Sequence, residues 1–143
     1  MESKTFPGTL DSLDLIRQHV KELSQQAGLD KKSTYNLMLA ADEIATNIIL
    51  YGYEQAGQTG SIDVLSEIAD NQLKVVFEDE AKPFDPTARD LPTEDDFNKP
   101  LEERTIGGMG IFLTINGVDK FSYEYANNRN RNIFIMNVDH VHP

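Results

Sequence analysis

Apolar residues in the first third of the chain recur at spacings of three and four positions. The first such series is Leu13, Ile16, Val20, Leu23 and Ala27. This spacing predicts one buried face of an amphipathic helix. We expect Asp11 or Ser12 to cap the helix at its start and Gly28 to end it.

A second series at the same spacing predicts a helix from about Ser33 to about Tyr51. Its expected buried stripe is Leu37, Ala41, Ile44, Ile48 and Tyr51. Glu43 and Asn47 are four positions apart beside this stripe, so both side chains emerge on one face at the margin of the core. A carboxylate and an amide oxygen there can serve as a base and as a ligand of a hard cation. The alternative is a solvated helix face with an ordinary i,i+4 hydrogen bond.

The spacing then changes to a period of two, which predicts strands. The first strand alternates through Ile62, Val64, Ser66 and Ile68, and the second through Leu73, Val75 and Phe77. Asp70 and Asn71 lie between them as a turn. Continued alternation places Asp79 on the core face of the second strand. A buried carboxylate needs a donor, which could be the exocyclic amino group of adenine or a group of the protein itself.

The end of the chain shows the same period of two. Phe121, Tyr123 and Tyr125 alternate, residues 127–130 read as a hairpin turn, and residues 133–138 pair back. Two helices, a hairpin, a short helix and a second hairpin indicate a single α+β domain over residues 1–143. We expect a two-layer sandwich with the helices on one face of a mainly antiparallel sheet.

No periodicity survives from Lys82 to Thr105, a segment that contains four prolines and many acids. A long aperiodic segment in a compact domain is usually functional, and we expect a lid over about residues 82–107. Gly107–Gly110 then precedes a short apolar helix, where glycines and a helix N-terminus could hold phosphates. An ordinary glycine-rich connector is the alternative. Arg104, just before the glycines, could clamp a phosphate or form a surface ion pair.

Composition narrows the classes of function. The 143 residues, 39% of them hydrophobic, suffice for one globular domain with a buried core. The absence of cysteine excludes disulfides and thiolate chemistry. Thirteen basic and 24 acidic residues give a formal charge of −11, so we expect no direct nucleic-acid partner. The charge suits a basic protein surface, or serves solubility alone.

No signal for export or membrane insertion is visible in the sequence. It contains no run of 18 apolar residues, so we expect no transmembrane helix and no membrane partner. The first five residues lack a basic segment followed by an apolar one, so no signal peptide is visible. We therefore expect a cytoplasmic protein.

The three motifs occur in one order: Glu-x-x-x-Asn on a helix, Asp at a strand end, and Gly-Gly-x-Gly before a helix. This order resembles the GHKL ATPase superfamily of gyrase, heat-shock chaperones and histidine kinases, which is built on the Bergerat fold. Its anti-sigma-factor/serine-protein-kinase branch is the most similar. The resemblance rests on Leu39–Ile49, Glu78–Pro86, Leu101–Leu113 and Asn130–Ile133, and it covers residues 5–138.

The resemblance implies a role for each motif. Glu43 would be the general base for the attacking hydroxyl or water. Asn47 would ligate a Mg²⁺ ion that bridges the phosphates of ATP. Asp79 would accept a hydrogen bond from the adenine amino group.

The glycine motif and its neighbours would complete the nucleotide site. Gly108 and Gly110 would offer backbone N–H groups to the phosphates, and Arg104 would lie near the γ-phosphate or the partner. The further nucleotide-site positions implied are Ala81, Phe84, Gly107, Met109 and Ile111. Many members of the branch have glycine where this chain has Ala81, and alanine disfavours a positive φ.

The resemblance also implies an activity, that of an ATP- and Mg²⁺-dependent protein serine kinase with anti-sigma function. Its usual substrate is a serine on a small anti-sigma-factor antagonist protein, its other partner is a sigma factor, and the branch commonly forms homodimers. The alternative is a protein-binding module gated by nucleotide, without significant kinase activity. A plain α+β domain without nucleotide is a third possibility. The sequence shows no phosphoacceptor-histidine helix and no second domain, which argues against a histidine kinase or a gyrase-type ATPase.

Overall fold

The computed structural model describes residues 1–86 and 116–138. In chain order the elements are β1 (Glu2–Pro7), a 3-10 turn (Leu10–Ser12), α1 (Leu13–Ala27), α2 (Lys31–Asn47), a π-helix (Ile48–Glu54), β2 (Ser61–Ala69), β3 (Gln72–Asp79), β4 (Lys120–Ala126) and β5 (Arg129–Asn137). The five strands form one antiparallel sheet in the order β1-β2-β3-β5-β4. Helices α1 and α2 pack on one face of it, which confirms the predicted α+β sandwich.

Helix α1 follows the predicted pattern closely. Ile16, Val20, Leu23 and Ala27 of the series are buried, and Leu13 packs against the core as a half-buried residue. Ser12 is the N-cap, although its side chain makes no capping hydrogen bond. Gly28 ends the helix in the left-handed region at φ 84°, where glycine carries no Cβ penalty.

Helix α2 begins at Lys31, two residues before the predicted start. Asp30 is the reason, because its carboxylate accepts a hydrogen bond of 2.7 Å from the backbone N–H of Ser33 and so caps the first turn. The predicted stripe is buried from Leu37 to Ile48. The prediction that Tyr51 belongs to this buried stripe was wrong, because it is only half-buried.

The π-helix explains that difference. From Ile48 the helix widens, and the N–H of Gln55 bonds to the carbonyl of Leu50, five residues back, at 2.8 Å. The wider turn shifts the phase of the side chains, so Tyr53 becomes the buried aromatic residue, at 3% exposed. Nothing in an apolar pattern of period 3.6 announces such a change.

Tyr53 fixes the π-helix against the sheet. Its hydroxyl donates to the carbonyl of Ser61 at 2.8 Å and accepts from the N–H of Glu80 at 3.0 Å. Gly8 and Gly60 leave room for the ring, because a Cβ added at either would come within 2.6 or 2.4 Å of it. This side chain therefore links the π-helix to the start of β2 and to the residue after β3.

Of the two predicted hairpin turns, the first is confirmed and the second is shorter than predicted. Asp70 and Asn71 form the predicted turn, with φ of 54° and 61°. The second turn was predicted over residues 127–130, but β5 already begins at Arg129, so Asn127 and Asn128 alone make it, with φ of 55° and 62°. Short polar side chains tolerate this left-handed geometry.

Strand β1 was not predicted. Its burial pattern is exposed at five of six positions, and Phe6 is its one buried residue, so no apolar alternation marks it. Pairing with β2 holds it as an edge strand. Within residues 1–86 and 116–138, no helix is long and apolar enough to cross a membrane.

Candidate functional site

A cavity of about 300 Å³ lies between the helical layer and the ends of β3 and β5. Its walls come from α2, the π-helix, the two strand ends and the segment after β3. Its lining residues are Ile44, Asn47, Ile48, Tyr51, Gly52, Gln55, Asp79, Ala81, Lys82, Phe84, Pro86, Asn130 and Asn132. The mixture of apolar walls with a few polar groups is typical of a small-molecule site.

Asp79 is the buried acid of this cavity, at 2% exposed. The prediction that it faces inward from the end of β3 is confirmed. Protein groups supply donors to it: Asn130 Nδ2 at 2.9 Å and the N–H of Ala81 at 3.0 Å, both to Oδ1. Burial raises the pKa of Asp79, and these two hydrogen bonds oppose the rise.

Asn132 is a cavity residue that the sequence did not indicate as a functional one. It lies on the core face of β5 next to Phe77 of β3 and is 3% exposed. Its Oδ1 has no hydrogen-bond partner within the described part of the chain. A buried acceptor without a partner is costly unless a ligand or water satisfies it, so Asn132 Oδ1 is a candidate acceptor for a group bound in the cavity.

Asn130, the second missed residue, lies directly opposite Asp79 in the β3–β5 register. It is 2% exposed. The signal that could have revealed both asparagines is their alternation with Phe134 and Met136, which places all four on the core face. Only the strand register, however, identifies Asp79 as the neighbour of Asn130.

Ala81 fits the cavity wall without the backbone strain expected of alanine at a position where glycine is implied by the resemblance. It is 3% exposed and is not among the described non-glycine residues with positive φ, which are Asp70, Asn71, Asn127 and Asn128. Its methyl group lies beside Gly52, and a Cβ added to Gly52 would come within 3.0 Å of the Cβ of Ala81. The missing side chain at Gly52 therefore leaves room for the methyl group of Ala81.

Glu43 and Asn47 lie one turn apart on α2, and of the two only Asn47 is among the residues that line the cavity. Asn47 is 5% exposed and lines the cavity, and its Nδ2 donates to Glu43 Oε1 at 3.4 Å. Burial raises the pKa of the half-buried Glu43, the bond from Asn47 opposes the rise, and the charge of Asp42 adds to it. A carboxyl group with a raised pKa is a candidate for accepting a proton.

The donor set can hold a hard cation only with help from a ligand. Within residues 1–86 and 116–138, no group of three or more His, Cys, Asp or Glu residues could hold a metal ion. Because Asn47 uses Nδ2 in its bond to Glu43, its amide oxygen is left as one possible ligand. Mg²⁺ typically binds through one or two protein oxygens, with water and substrate phosphates completing its shell, so this set is compatible with a magnesium–nucleotide complex.

The segment after β3 begins as a wall of the cavity. Lys82, Phe84 and Pro86 line it, and the backbone N–H of Phe84 donates to Asn130 Oδ1 at 3.0 Å. The rest of the predicted lid lies outside the described residues. So do the site residues predicted there: Arg104, Gly107, Gly108, Met109, Gly110 and Ile111.

Comparisons with known proteins identify the family and the fold. A family model described as "Histidine kinase-like ATPase domain" matches residues 6–137. Serine-protein kinase RsbW of Staphylococcus epidermidis is 27% identical over 110 residues, which is 76% of this chain and 69% of that protein. Its counterpart in Staphylococcus aureus strain MW2 is 26% identical over 108 residues, 75% of this chain and 68% of that protein.

Two solved structures share the fold. The histidine kinase domain of the blue-light activated kinase from Erythrobacter litoralis EL346 superposes with a TM-score of 0.55 at 12% identity, over 88% of this chain and 60% of that one. Acinetobacter baumannii histidine kinase AdeS gives a TM-score of 0.53 at 14% identity, over 98% of this chain and 69% of that one. At such identities the likeness concerns the fold alone.

Proposed function

The chain belongs to the family of histidine kinase-like ATPase domains, and from this membership we propose that it binds ATP with Mg²⁺ and transfers the γ-phosphoryl group to a serine of a protein partner. The observation that carries the proposal is the buried carboxylate of Asp79 in the wall of a cavity of about 300 Å³. A buried charge of this kind is expensive to maintain. A ligand that donates a hydrogen bond to this carboxylate would offset the cost of burying it.

We assign recognition of the base to the part of the cavity that Asp79 and Asn132 line. Oδ1 of Asp79 already accepts two bonds from the protein, so we assign Oδ2 to the exocyclic amino group of adenine. Asn132 Oδ1 is a second acceptor for a ligand or a bridging water. Ile44, Ile48 and Phe84 supply apolar surface suited to a flat aromatic base.

Phosphoryl transfer falls to the margin formed by α2. Asn47 would hold Mg²⁺ through its amide oxygen, and the ion would supply neutralisation of phosphate charge. Glu43 accepts the proton of the serine hydroxyl. The serine oxygen forms a bond to the γ-phosphorus while the bond from that phosphorus to the ADP oxygen breaks. The elevated pKa of Glu43 suits this role. The resemblance to the GHKL superfamily implies phosphate contacts from Gly108 and Gly110 and a place for Arg104 near the γ-phosphate or the partner.

The similarity to serine-protein kinase RsbW supports the choice of a protein substrate. On this account the substrate is a small anti-sigma-factor antagonist, a sigma factor is the second partner, and the protein acts as a homodimer in the cytoplasm. The formal charge of −11 favours partners with a basic surface.

A transfer assay tests the proposal. Proteins captured on the immobilised chain in the presence of Mg²⁺ and ATP are purified and incubated with γ-labelled ATP and either the parent or Glu43→Gln. We expect label on a serine of one captured protein with the parent, reduced by about 10²–10⁴ with the variant. Nucleotide-dependent capture without any transfer by the parent contradicts the kinase and favours a binding module gated by nucleotide.

A further inference from the structure

The amide nitrogen of Asn130 ties the end of β3 to the segment that follows it. Nδ2 donates to Asp79 Oδ1 at 2.9 Å, to the carbonyl of Ala81 at 3.1 Å and to the carbonyl of Lys82 at 3.1 Å. An amide nitrogen has two N–H groups, so one of them is shared between two of these acceptors. The carboxylate of Asp79 and two backbone carbonyls therefore compete for the same donors.

The amide oxygen of Asn130 completes the link. Oδ1 accepts from the backbone N–H of Phe84 at 3.0 Å and from the hydroxyl of Tyr123 on β4. The hydrogen bond from Tyr123 restricts rotation of the amide, because it holds Oδ1 toward the neighbouring strand β4. At 2% exposed, this side chain exchanges few of its bonds with water, so its partners move together or lose their hydrogen bonds.

We propose that Asn130 is a positioning residue that couples recognition of the base at Asp79 to the backbone conformation of residues 81–84. The inference rests on the proposed nucleotide function of the cavity. Asn130 holds Oδ1 of Asp79 and thereby orients the carboxylate toward the ligand. The same amide holds the carbonyls of Ala81 and Lys82 and the N–H of Phe84. A ligand that fixes the carboxylate therefore also fixes this part of the cavity wall.

Two substitutions separate this role from a general contribution to folding. Asn130→Ala removes all five hydrogen bonds. Asn130→Asp keeps the shape and one acceptor oxygen, but it places a second carboxylate where Nδ2 lay 2.9 Å from Asp79. Two carboxylates this close share a proton. In acid, the shared proton restores a donor between residues 130 and 79, and in mild alkali it is lost.

The charged and titratable groups around this pair are the same in both variants. The hydroxyl of Tyr123 on β4 contacts residue 130. Tyr53 of the π-helix and Arg129 of β5 interact electrostatically with Asp79. Lys82 lies in the segment after β3. Each measurement is therefore expressed relative to the parent at the same pH, which cancels the titration of these groups.

The experiment is a calorimetric titration with ADP and Mg²⁺ at pH 5.5 and pH 8 on the parent, Asn130→Ala, Asn130→Asp and the control Asn137→Ala. Asn137 lies on the same strand but is exposed. We expect Asn130→Ala to lose at least about tenfold in affinity at both pH values. Asn130→Asp should show that loss at pH 8 and recover most of it at pH 5.5. Asn137→Ala should match the parent.

Hydrogen exchange at the amides of Ala81 and Phe84 gives an independent reading. ADP should slow both in the parent, and should slow neither in Asn130→Asp at pH 8. Folded Asn130→Ala with parental affinity, or Asn130→Asp with the same relative affinity at both pH values, overturns the coupling while the proposed function stands. A parent that binds no ADP overturns both.

Discussion

Gly52 of the π-helix lies directly against the methyl group of Ala81, and a Cβ built on Gly52 would be 3.0 Å from the Cβ of Ala81. The two positions share one space in the cavity wall. At Ala81 the chain has alanine where the resemblance to the anti-sigma-factor/serine-protein-kinase branch implies glycine in many members. The absent side chain at Gly52 therefore accommodates the extra methyl group on the facing segment.

Gly52→Ala should disturb this wall. Added volume at a packed site typically costs about 1–3 kcal/mol of folding stability, and the displaced wall should weaken nucleotide binding as well. Urea denaturation and a nucleotide titration measure the two effects. Gly52→Ala/Ala81→Gly should recover much of both losses, since it moves the methyl group across the contact. A single variant as stable as the parent would show that the wall yields freely.

Asp79→Asn should separate stability from binding. Because burial raises the folded-state pKa of Asp79 above its unfolded value, the ionised carboxylate costs stability above that folded-state pKa. The cost disappears as pH falls below the unfolded value, which for Asp is about 4. The amide of Asn keeps an acceptor for Asn130 and for the N–H of Ala81. We therefore expect the free variant to melt at or above the temperature of the parent at pH 8, with a smaller difference near pH 4.

The same variant should lose most of the thermal shift that ADP gives the parent. Melting curves at the two pH values, with and without ADP, provide both readings. A variant that is much less stable at pH 8 but retains the full ADP shift would contradict this view of Asp79.

The sequence predicted the fold well where apolar periodicity was strong, and the site only in part. The burial of residues such as Ile44 and Phe77 could be predicted from the spacing of apolar positions alone. Asn130 and Asn132 did not stand out, because a polar residue on an inward strand position gains meaning only from its cross-strand neighbour. The π-helix around Tyr53 was missed because its wider turn depends on tertiary contacts with Gly8 and Gly60.

Tyr53→Phe tests the link between the π-helix and the sheet. The change removes only the hydroxyl, which serves the carbonyl of Ser61 and the N–H of Glu80. These two hydrogen bonds are part-buried, so their combined loss should lower the free energy of unfolding by about 1–3 kcal/mol in urea denaturation. Tyr35→Phe is the matched control, because Tyr35 is 62% exposed, and it should change stability by less than about 0.5 kcal/mol. Equal effects of the two changes would place the stabilisation elsewhere.

Glu43→Gln should spare binding and impair chemistry. Gln keeps an acceptor for the amide of Asn47 but cannot take a proton. We expect near-parental ADP affinity with phosphoryl transfer slowed by about 10²–10⁴. Because the pKa of Glu43 is raised, transfer by the parent should also fall as pH drops through that value. Parental transfer rates in the variant would remove Glu43 from the role of base.

Asn47→Ala offers the complementary result. It removes the amide oxygen that we assign to Mg²⁺, so nucleotide affinity should fall in the presence of Mg²⁺ and change little in its absence. Calorimetric titrations with ATP, run with Mg²⁺ and with a chelator, distinguish the two conditions. An equal loss in both would indicate a role in shaping the cavity instead of holding the ion.

Binding of adenine nucleotide to the cavity beside Asp79 is the central claim, and one calorimetric comparison tests it most directly. The parent is titrated with ADP and with GDP in the presence of Mg²⁺, under identical conditions. The account predicts saturable binding of one ADP per chain and at least about tenfold weaker binding of GDP, whose base presents a carbonyl where adenine presents the amino group that Asp79 would accept. No heat of binding with ADP at millimolar concentration, or equal affinity for the two nucleotides, would contradict it.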